Sequence, residues 1–390
     1  MAPNHPKRPT RIAAKVLIVA GEASGDLLGA ELMAAIKKRN RSVVFYGVGG
    51  PAMKKAGLKA LGSIRLFPGM GLAFLPALPG IIALLKGLAA WADKNRPAVC
   101  ITIDNQEFSA RLAKRIAPLG IPCVQYVAPK VWAWRQGRVK GLRKVFSHML
   151  CLFPFEASFF NEHNLPASYV GHPVVERMAR VRAVKIDPKK PVLAIFPGSR
   201  KSELEHHWPL FLATFLALKQ EFPNLTGKVV LVDKPALTFC RKHGWDDSLK
   251  PVWGEGRFAA MAGCSAALTK SGTNNLELAL LGVPAVVAYR GPAFTLWLAQ
   301  KLVKVKYASP PNLVINGEVY PEFIQNDATL ANLYAAVGVI LTSKKVRNAT
   351  TKLLKGVALA LKTDIPAASK AAQIILPYLL AKTPKRPTIS

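Results

Sequence analysis

Two successive series of short apolar runs, most of them followed by a helical pattern, constrain the fold of this chain more than any other feature. The first series extends from residue 15 to about 180 and includes VLIVA, VVFYGV, AVCITID, CVQYVA and HMLCLF. The second begins at PVLAIFPGS and continues through GKVVLVD, AALTKSG and AVVAYR. Continuous apolar runs of this length are typical of parallel strands that helices cover on both faces. The sequence therefore predicts an α/β protein with two parallel sheets, each packed between helices.

A polar, proline-containing segment between Val181 and Pro191 separates the two series and marks the predicted domain boundary. The chain has 390 residues, which is enough for two domains that each bury their own core. We expect a first lobe over residues 1–185, a second lobe over 186–345, and C-terminal helices over 346–390 that end in a frayed tail.

The turn after the first predicted strand, Gly21 to Asp26, is a candidate anion site. It lies between a buried strand and a helix, a layout that directs backbone N–H groups at an anion. Gly21, Gly25 and Gly29 are spaced by four, unlike the G-x-G-x-x-G fingerprint of dinucleotide sites, and the next strand lacks an acidic residue for the ribose. These features argue against NAD or FAD, and an ordinary βα turn remains the alternative.

Two further turns, in the second series, indicate a sugar-nucleotide site. In the turn that ends in Ser199 and Arg200, a hydroxyl and a guanidinium are placed to bind phosphate. The turn Ser271–Gly272–Thr273 precedes a second predicted helix, whose N-terminus favours an anion. Glu277 lies one turn into that helix, where its carboxylate can accept hydrogen bonds from ribose hydroxyls. Capped helices without a ligand are the alternative.

Asp104 follows the predicted strand CITI and is a candidate general base, because ligands of open α/β sheets bind at the carboxyl ends of strands. Glu107 lies at the start of the next helix. A helix N-cap is the alternative for Asp104. The seven histidines form no metal-binding pattern and no D-x-D pair is present, so we expect a mechanism without a metal.

The charge of the chain predicts anionic partners. It has 54 Lys and Arg against 22 Asp and Glu, a net charge of +32. Twenty uncharged residues, 66–85, contain three prolines and three glycines, which argues against a membrane-spanning helix. We expect an element at residues 66–90 that contacts an anionic membrane through Leu72, Phe74 and Leu75. A buried loop or a homodimer contact is the alternative for this segment.

The sequence argues against a nucleic-acid-binding protein and against a secreted, disulfide-bonded protein. Six basic residues and two tryptophans lie between Lys130 and Lys144, but basic residues are spread over the chain and no nucleic-acid-binding signature occurs, so we expect no nucleic acid. The five scattered cysteines are typical of a reduced, cytosolic protein. Only six apolar residues follow Lys15, too few for a secretory signal.

A set of short motifs resembles the lipid-A-disaccharide synthases of Gram-negative bacteria. In the order of that family, the chain contains AGEASGD, GVGGPAM, MGL, VWAWR, FPFE, YVGHP, FPGSR, SGT…LE, GVP and PNL…PEFIQ, over about residues 15 to 330. The resemblance implies the GT-B fold, in which two Rossmann-like lobes face each other across a cleft and the C-terminal helices return to the first lobe. It also implies a cytoplasmic enzyme, peripheral on the inner membrane, that uses no cofactor.

The implied reaction is an inverting glycosyl transfer. UDP-2,3-diacylglucosamine is condensed with 2,3-diacylglucosamine 1-phosphate, giving UDP and a β-1,6-linked disaccharide 1-phosphate. The resemblance implies that Asp104 takes the proton of the acceptor 6-hydroxyl and that Arg200 stabilises the departing UDP. The implied nucleotide-binding residues are Ser199, Arg200, Ser271, Gly272, Thr273, Glu277, Asn312, Glu322 and Gln325. The implied acceptor-binding residues are Gly21, Glu22, Ser24, Gly25 and Asp26.

The chain departs from the family pattern at several motifs. It has IDNQEFS where the family has I-D-A-P-D-F-N, so the second acid is Glu107, and either Asp104 or Glu107 can be the base. It has APKVWAWR where the family has S-P-S-V-W-A-W. The alternatives are another GT-B enzyme that acts on UDP-sugars, such as the peptidoglycan N-acetylglucosaminyltransferase or a UDP-GlcNAc epimerase, and a basic protein that binds lipid or nucleic acid.

Overall fold

The computed structural model describes residues 14–67, 74–182, 184–291 and 305–380. The chain divides into two compact units, residues 1–171 with 363–390 and residues 172–362. Both contain a sheet of parallel strands, so the predicted α/β architecture is confirmed. The five cysteines are buried and form no disulfide.

The first unit has a seven-stranded sheet in the order β3-β2-β1-β4-β5-β6-β7. Its strands are β1 (Lys15–Ala20), β2 (Val44–Gly49), β3 (Leu58–Ser63), β4 (Val99–Ile103), β5 (Cys123–Tyr126), β6 (His148–Cys151) and β7 (Ala167–Tyr169). Its helices are α1 (Ala23–Arg39), α2 (Pro51–Lys55), α3 (Phe74–Asn95), α4 (Gln106–Ile116), α5 (Val139–Arg143) and α6 (Pro154–Glu162).

The second unit has a six-stranded sheet in the order β10-β9-β8-β11-β12-β13. Its strands are β8 (Val192–Phe196), β9 (Thr226–Val230), β10 (Leu249–Val252), β11 (Ala266–Lys270), β12 (Ala285–Tyr289) and β13 (Glu322–Ile324). Its helices are α7 (Pro173–Met178), α8 (Lys201–Glu221), α9 (Lys234–Lys242), α10 (Gly256–Ala262), α11 (Asn274–Leu280), α12 (Pro310–Ile315), α13 (Leu330–Thr342) and α14 (Lys344–Ala360).

The division between the units differs from the expected boundaries at residues 185 and 346. Helix α7 packs on α11 and therefore belongs to the second unit. Helix α14 also stays in that unit, because it packs on α11 and α12. Among the C-terminal helices in the described residues, α15 (Ala367–Leu380) alone belongs to the first unit, where it packs on α1. Its buried residues are Ala367, Ala371, Ala372, Ile375 and Leu379.

The inner strands β1, β4, β5 and β6 of the first sheet are buried along almost their whole length, as their continuous apolar runs predict, whereas the edge strand β3 is mostly exposed. Gly47 of β2 shows how closely they approach each other. Its φ is +145°, and a Cβ atom there would lie 1.8 Å from the carbonyl oxygen of Ile18 in β1. Only glycine fits this position.

The apolar segment at residues 66–90 lies partly in the core of the first unit. Ile81, Leu84, Leu85 and Leu88, on α3, are buried in that core. Leu72 and the side chains of Phe74 and Leu75 lie outside the described residues. None of the helices in the described parts of the chain is long and apolar enough to cross a bilayer.

Candidate active site

The turns after β1 and β4 lie side by side at the carboxyl edge of the first sheet. The two strands are paired in parallel, with Ala20 opposite Ile103, so they end at the same level. Gly21 is so close to the neighbouring turn that a Cβ atom there would lie 2.6 Å from Nδ2 of Asn105. The structure therefore brings the predicted acceptor-binding turn next to Asp104.

Asp26, the last of the predicted acceptor-binding residues, is engaged inside the protein. Its Oδ1 accepts hydrogen bonds from the backbone N–H groups of Gly50 (2.7 Å) and Met53 (3.0 Å), and its Oδ2 accepts one from Ala52 (2.9 Å). The side chain is buried. We therefore interpret Asp26 as the residue that ties the first turn of α1 to the start of α2.

The other residues of the same turn differ in exposure. Gly25 is buried, and a Cβ atom there would lie 3.4 Å from Cβ of Ala20. Glu22 and Ser24 are exposed. These two side chains are therefore the members of the predicted set that a ligand in solution can reach.

Asp104 lies in a strained turn. Asp104 (φ 54°) and Asn105 (φ 33°) both have left-handed backbone conformations, and so does Val127 (φ 69°), which directly follows the neighbouring strand β5. For a β-branched residue such as valine this conformation is a true outlier. Each such residue costs on the order of 1–3 kcal/mol and persists only where the surrounding structure holds it.

Gln125 holds this turn from inside the sheet. Its buried Nε2 donates to the carbonyl oxygens of Asp104 (2.9 Å), Val127 (3.1 Å) and Tyr126 (3.3 Å). Its Oε1 accepts a hydrogen bond of 2.5 Å from Oγ1 of Thr102. Sequence reasoning missed Gln125. The available signal was one amide inside the apolar run CVQYVA, because a polar side chain in a buried strand needs partners.

The environment of Asp104 suits a general base. Burial raises the pKa of its carboxyl, while the backbone N–H of Asn105 and the charge of Lys130 oppose this rise. A base whose pKa is nearer to neutral pH transfers protons more efficiently. Lys130 is a further residue that the motifs did not single out, and its charge also acts to lower the pKa of Glu156.

Glu107, the other acid of the same motif, lies in solvent. Its Oε1 forms an ion pair of 2.6 Å with Nη2 of Arg138, and both side chains are exposed. Asp104 is half-buried. The two carboxylates therefore have different environments, and that of Asp104 is the one that favours proton abstraction.

A buried carboxylate connects the motifs VWAWR and FPFE. Oε1 of Glu156 accepts a hydrogen bond from Nε1 of Trp132 (3.1 Å), and Oε2 accepts from the backbone N–H groups of Leu152 and Phe153 (3.1 Å each). Burial raises the pKa of Glu156 to about 7 against the effect of these donors. The bond to Trp132 fixes the short helical turn that also carries Lys130.

In the second unit, Glu203 organises the turn after β8. Its Oε2 accepts from the backbone N–H groups of Ser199 (2.7 Å) and Arg200 (3.3 Å) and from Oγ of Ser199 (3.2 Å). Burial acts to raise the pKa of Glu203, but these donors and Lys270 lower it to about 2. Two backbone N–H groups of the turn that was predicted to bind phosphate are therefore bound to a carboxylate of the protein.

Lys270 is a cation that the sequence reasoning missed. It ends β11, which pairs in parallel with β8. Its Nζ lies 3.1 Å from Oε1 of Glu203, and a Cβ atom on Gly272 would lie 3.4 Å from the same Nζ. The Arg200 guanidinium lies 3.6 Å from Oε1 of Glu203. Two cations therefore lie at the adjoining turns after β8 and β11, and both are residue types that bind phosphate.

Ser271, Asn312 and Glu322 are linked by hydrogen bonds within the protein. Oγ of Ser271 donates to the carbonyl oxygen of Ala308 (2.9 Å). Glu322 accepts from the backbone N–H groups of Ala308 (2.7 Å) and Ser309 (2.8 Å) and from Nδ2 of Asn312 (2.8 Å). We therefore interpret Asn312 and Glu322 as residues that position the segment which Ser271 contacts.

Gln325 also binds backbone, forming two hydrogen bonds of 3.0 Å with the N–H and C=O of Gly291. These bonds fix one wall of a polar cavity of about 350 Å³. The cavity is lined by His206, Arg290, Gly291, Gln325 and Asn326.

Glu277 is a predicted nucleotide-binding residue, and one of its carboxylate oxygens accepts no hydrogen bond from the described residues. It is buried, and its Oε1 lies 3.0 Å from Nη2 of Arg257. Its Oε2 is also buried and accepts no hydrogen bond from the described residues. Burial raises the pKa of this carboxyl, and the charge of Arg257 opposes that rise. Gly272 and Thr273 accept the backbone hydrogen bonds that start α11.

Comparison with known proteins identifies relatives over nearly the whole chain. The family model described as lipid-A-disaccharide synthetase matches residues 16–375. A lipid-A-disaccharide synthase of Saccharophagus degradans is 39% identical over 386 residues, which cover 94% of this chain and 97% of the relative. One from Nitrobacter winogradskyi is 37% identical over 93% of this chain and 95% of its own length.

Solved structures with a similar fold have much lower sequence identity. A complex of Staphylococcus aureus MnaA with UDP has a TM-score of 0.64 at 10% identity and covers 96% of this chain and 99% of that one. The glycotransferase of kitacinnamycin has a TM-score of 0.61 at 16% identity, with coverage of 94% and 99%. The fold of the chain is accordingly that of the GT-B proteins.

Proposed function

Because the chain belongs to the lipid-A-disaccharide synthetase family, we propose that it transfers a diacylglucosaminyl group from its UDP derivative to 2,3-diacylglucosamine 1-phosphate. The products are UDP and the β-1,6-linked disaccharide 1-phosphate. The observation that carries the chemical step is the half-buried Asp104, whose pKa is raised by burial, in a turn held by hydrogen bonds.

In this proposal Asp104 accepts the proton of the acceptor 6-hydroxyl while that oxygen attacks the anomeric carbon of the donor. The new C–O bond forms as the bond between the anomeric carbon and the phosphate oxygen breaks. UDP leaves with the electron pair, and the configuration at the anomeric carbon is inverted. Arg200 and Lys270 stabilise the charge that develops on the diphosphate.

The second unit binds the nucleotide of the donor. We assign the contact with the ribose hydroxyls to Glu277, which lies in the first turn of α11. Ser199 and Ser271 lie in the turns beside the two cations. Thr273 and Gly272 form the turn that precedes Glu277.

Two substitutions distinguish the candidate bases. We expect Asp104→Asn to lower kcat by about 10²- to 10⁴-fold, since it removes the proton acceptor, and to leave the Kd for UDP unchanged. We expect Glu107→Gln to retain kcat within about threefold, because its ion pair is exposed. Full activity of Asp104→Asn, with loss in Glu107→Gln, would assign the base to Glu107 instead.

We propose an anionic membrane surface, the inner membrane of the cell, as the place where the lipid substrates are met. Residues 328–363 contain six Lys and Arg and no Asp or Glu. In this segment Leu353 and Leu359, on α14, are 41% and 72% exposed. Basic residues next to exposed apolar side chains favour reversible binding to anionic lipid. Contact through Leu72, Phe74 and Leu75, and a homodimer, remain predictions.

A further inference from the structure

We propose that Gln125 and Thr102 are positioning residues for the reaction, because together they fix the direction in which the turn carrying Asp104 presents its carboxylate. This inference rests on the proposed role of Asp104 as general base. It assigns a function to two side chains that are each only 1% exposed.

The turn that carries Asp104 is strained. Asp104 and Asn105 have left-handed backbones in succession, and Val127 has one at the end of the adjacent strand. An L-residue reaches this conformation at a cost, so the turn relaxes unless its carbonyl groups are held. Relaxation toward ordinary φ values rotates the peptide units on both sides of Asp104 and swings its side chain.

The side-chain amide of Gln125 holds this turn. Nε2 of Gln125 donates to the carbonyl oxygens of Asp104 at 2.9 Å and of Val127 at 3.1 Å, and thus joins two of the strained residues through one amide. Oγ of Ser109 is a second donor to the Asp104 carbonyl, at 3.0 Å. Ser109 lies on α4, however, and does not connect Asp104 to the strand that Val127 follows.

Hydrogen-bond partners at both ends fix the orientation of the Gln125 amide. The carbonyl oxygens can only accept, so the NH₂ group of Gln125 must face them. The hydroxyl of Thr102 donates to Oε1 of Gln125 at 2.5 Å and thereby fixes the opposite end. Thr102 and Gln125 are direct partners in the register of β4 and β5. The two side chains thus form a hydrogen-bonded pair across β4 and β5, and the Gln125 amide joins this pair to the carbonyl oxygen of Asp104.

The consequence for catalysis follows from geometry. A base must lie within hydrogen-bonding distance of the proton that it abstracts. A misplacement of about 1 Å can lower the rate of the chemical step by about 100-fold. Loss of the Thr102–Gln125 pair is therefore expected to reduce kcat while the nucleotide is still bound normally by the second unit.

The test uses a matched pair at Thr102. Thr102→Val keeps the shape and removes the hydroxyl, whereas Thr102→Ser keeps the hydroxyl. We expect kcat to fall by about 10-fold in Thr102→Val and to stay within about twofold of the native value in Thr102→Ser. Gln125→Met, which is similar in shape but has no donor, is expected to lower kcat by about 100-fold. KM for the UDP-sugar is expected to change by less than about threefold in all three.

The pH profile gives a readout that a general loss of stability does not produce. Burial raises the pKa of Asp104, and a loosened turn admits water. The acid limb of the kcat profile is therefore expected to move to lower pH in Thr102→Val, relative to Thr102→Ser. If Gln125→Met fails to fold, as judged by circular dichroism and thermal unfolding, the comparison of Thr102→Val with Thr102→Ser still tests the positioning role.

Equal kcat values and equal pH profiles for Thr102→Val and Thr102→Ser would overturn the inference. Asp104→Asn, measured alongside, separates this failure from that of the proposed function. If Asp104→Asn is inactive and Thr102→Val is native-like, only the positioning role is wrong. If Asp104→Asn is fully active, the assignment of the base is wrong and the positioning role is lost with it.

Discussion

At the scale of single residues, two acidic side chains of this protein bind backbone N–H groups and thereby fix turns next to the candidate site. Glu203 binds the turn after β8, and Asp26 binds the start of α2. Ionised carboxylates form strong hydrogen bonds with backbone N–H groups, and they remain in place whether or not substrate is present. These turns are therefore shaped before the substrate arrives.

The contribution of Glu203 predicts a pH dependence of stability. Its pKa in the folded protein is about 2 and its ordinary value is 4.5. Because the folded-state pKa is lowered, the stabilisation is complete above the ordinary pKa and is lost as the pH falls from about 4.5 toward 2. We expect the difference in unfolding free energy between the native protein and Glu203→Gln, measured with urea, to shrink over this range. A difference that does not vary with pH would contradict this account.

Asp26 predicts a large effect on stability. Asp26→Ala leaves three backbone N–H groups without their acceptor in a buried place, so we expect the free energy of unfolding to fall by about 3 kcal/mol. Glu205→Ala is the control, since it removes an exposed carboxylate whose partner, Lys201 of the same helix, is also exposed. An exposed pair contributes at most about 1 kcal/mol. Urea unfolding of both variants checks the difference, and equal losses would refute the structural role of Asp26.

At the scale of elements, α15 contributes to the core of the first unit although it lies almost 200 residues away from that unit in the chain. Leu379 and Leu380 form a matched pair on this helix, 7% and 65% exposed. We expect Leu379→Ala to lower the unfolding free energy by about 2 kcal/mol through the cavity that it leaves. Leu380→Ala is expected to change it by less than about 0.5 kcal/mol. Equal effects would mean that α15 does not pack as described.

The strands and the turns that carry the candidate site could be predicted from sequence, because buried parallel strands are read from continuous apolar runs. Asp104, Arg200 and Glu277 follow directly from those strands and helices. The connection of Glu322 to Ser271 through Ala308 could not be predicted, because it depends on hydrogen bonds between residues far apart in sequence. The ion pair between Lys270 and Glu203 could not be predicted either, because it depends on β8 and β11 being neighbours in the sheet.

At the scale of the whole molecule, the net charge of +32 makes anionic surfaces the expected partner. We expect binding to vesicles that contain about 30% phosphatidylglycerol, weak binding to neutral phosphatidylcholine vesicles, and release at high salt. Lys352→Glu with Lys355→Glu is expected to weaken binding by more than about 10-fold, at about 1 kcal/mol per charged residue. Leu353→Ser with Leu359→Ser is expected to weaken it as well.

The control for this surface reverses the same number of charges elsewhere. Lys189→Glu with Lys190→Glu changes two exposed lysines of the second unit that lie outside α14, so we expect a much smaller effect on vesicle binding. If both double variants lose affinity equally, the net charge rather than the surface of α14 determines binding. The triple variant with serine at Leu72, Phe74 and Leu75 tests the other predicted contact in the same assay.

The reaction itself is tested most directly by product analysis. Purified protein is incubated with UDP-2,3-diacylglucosamine and 2,3-diacylglucosamine 1-phosphate, and both products are quantified by mass spectrometry. We predict one UDP for each β-1,6-linked disaccharide 1-phosphate, and neither product above background with Asp104→Asn. Release of UDP without disaccharide, or an unchanged mixture of the two substrates, would contradict the account.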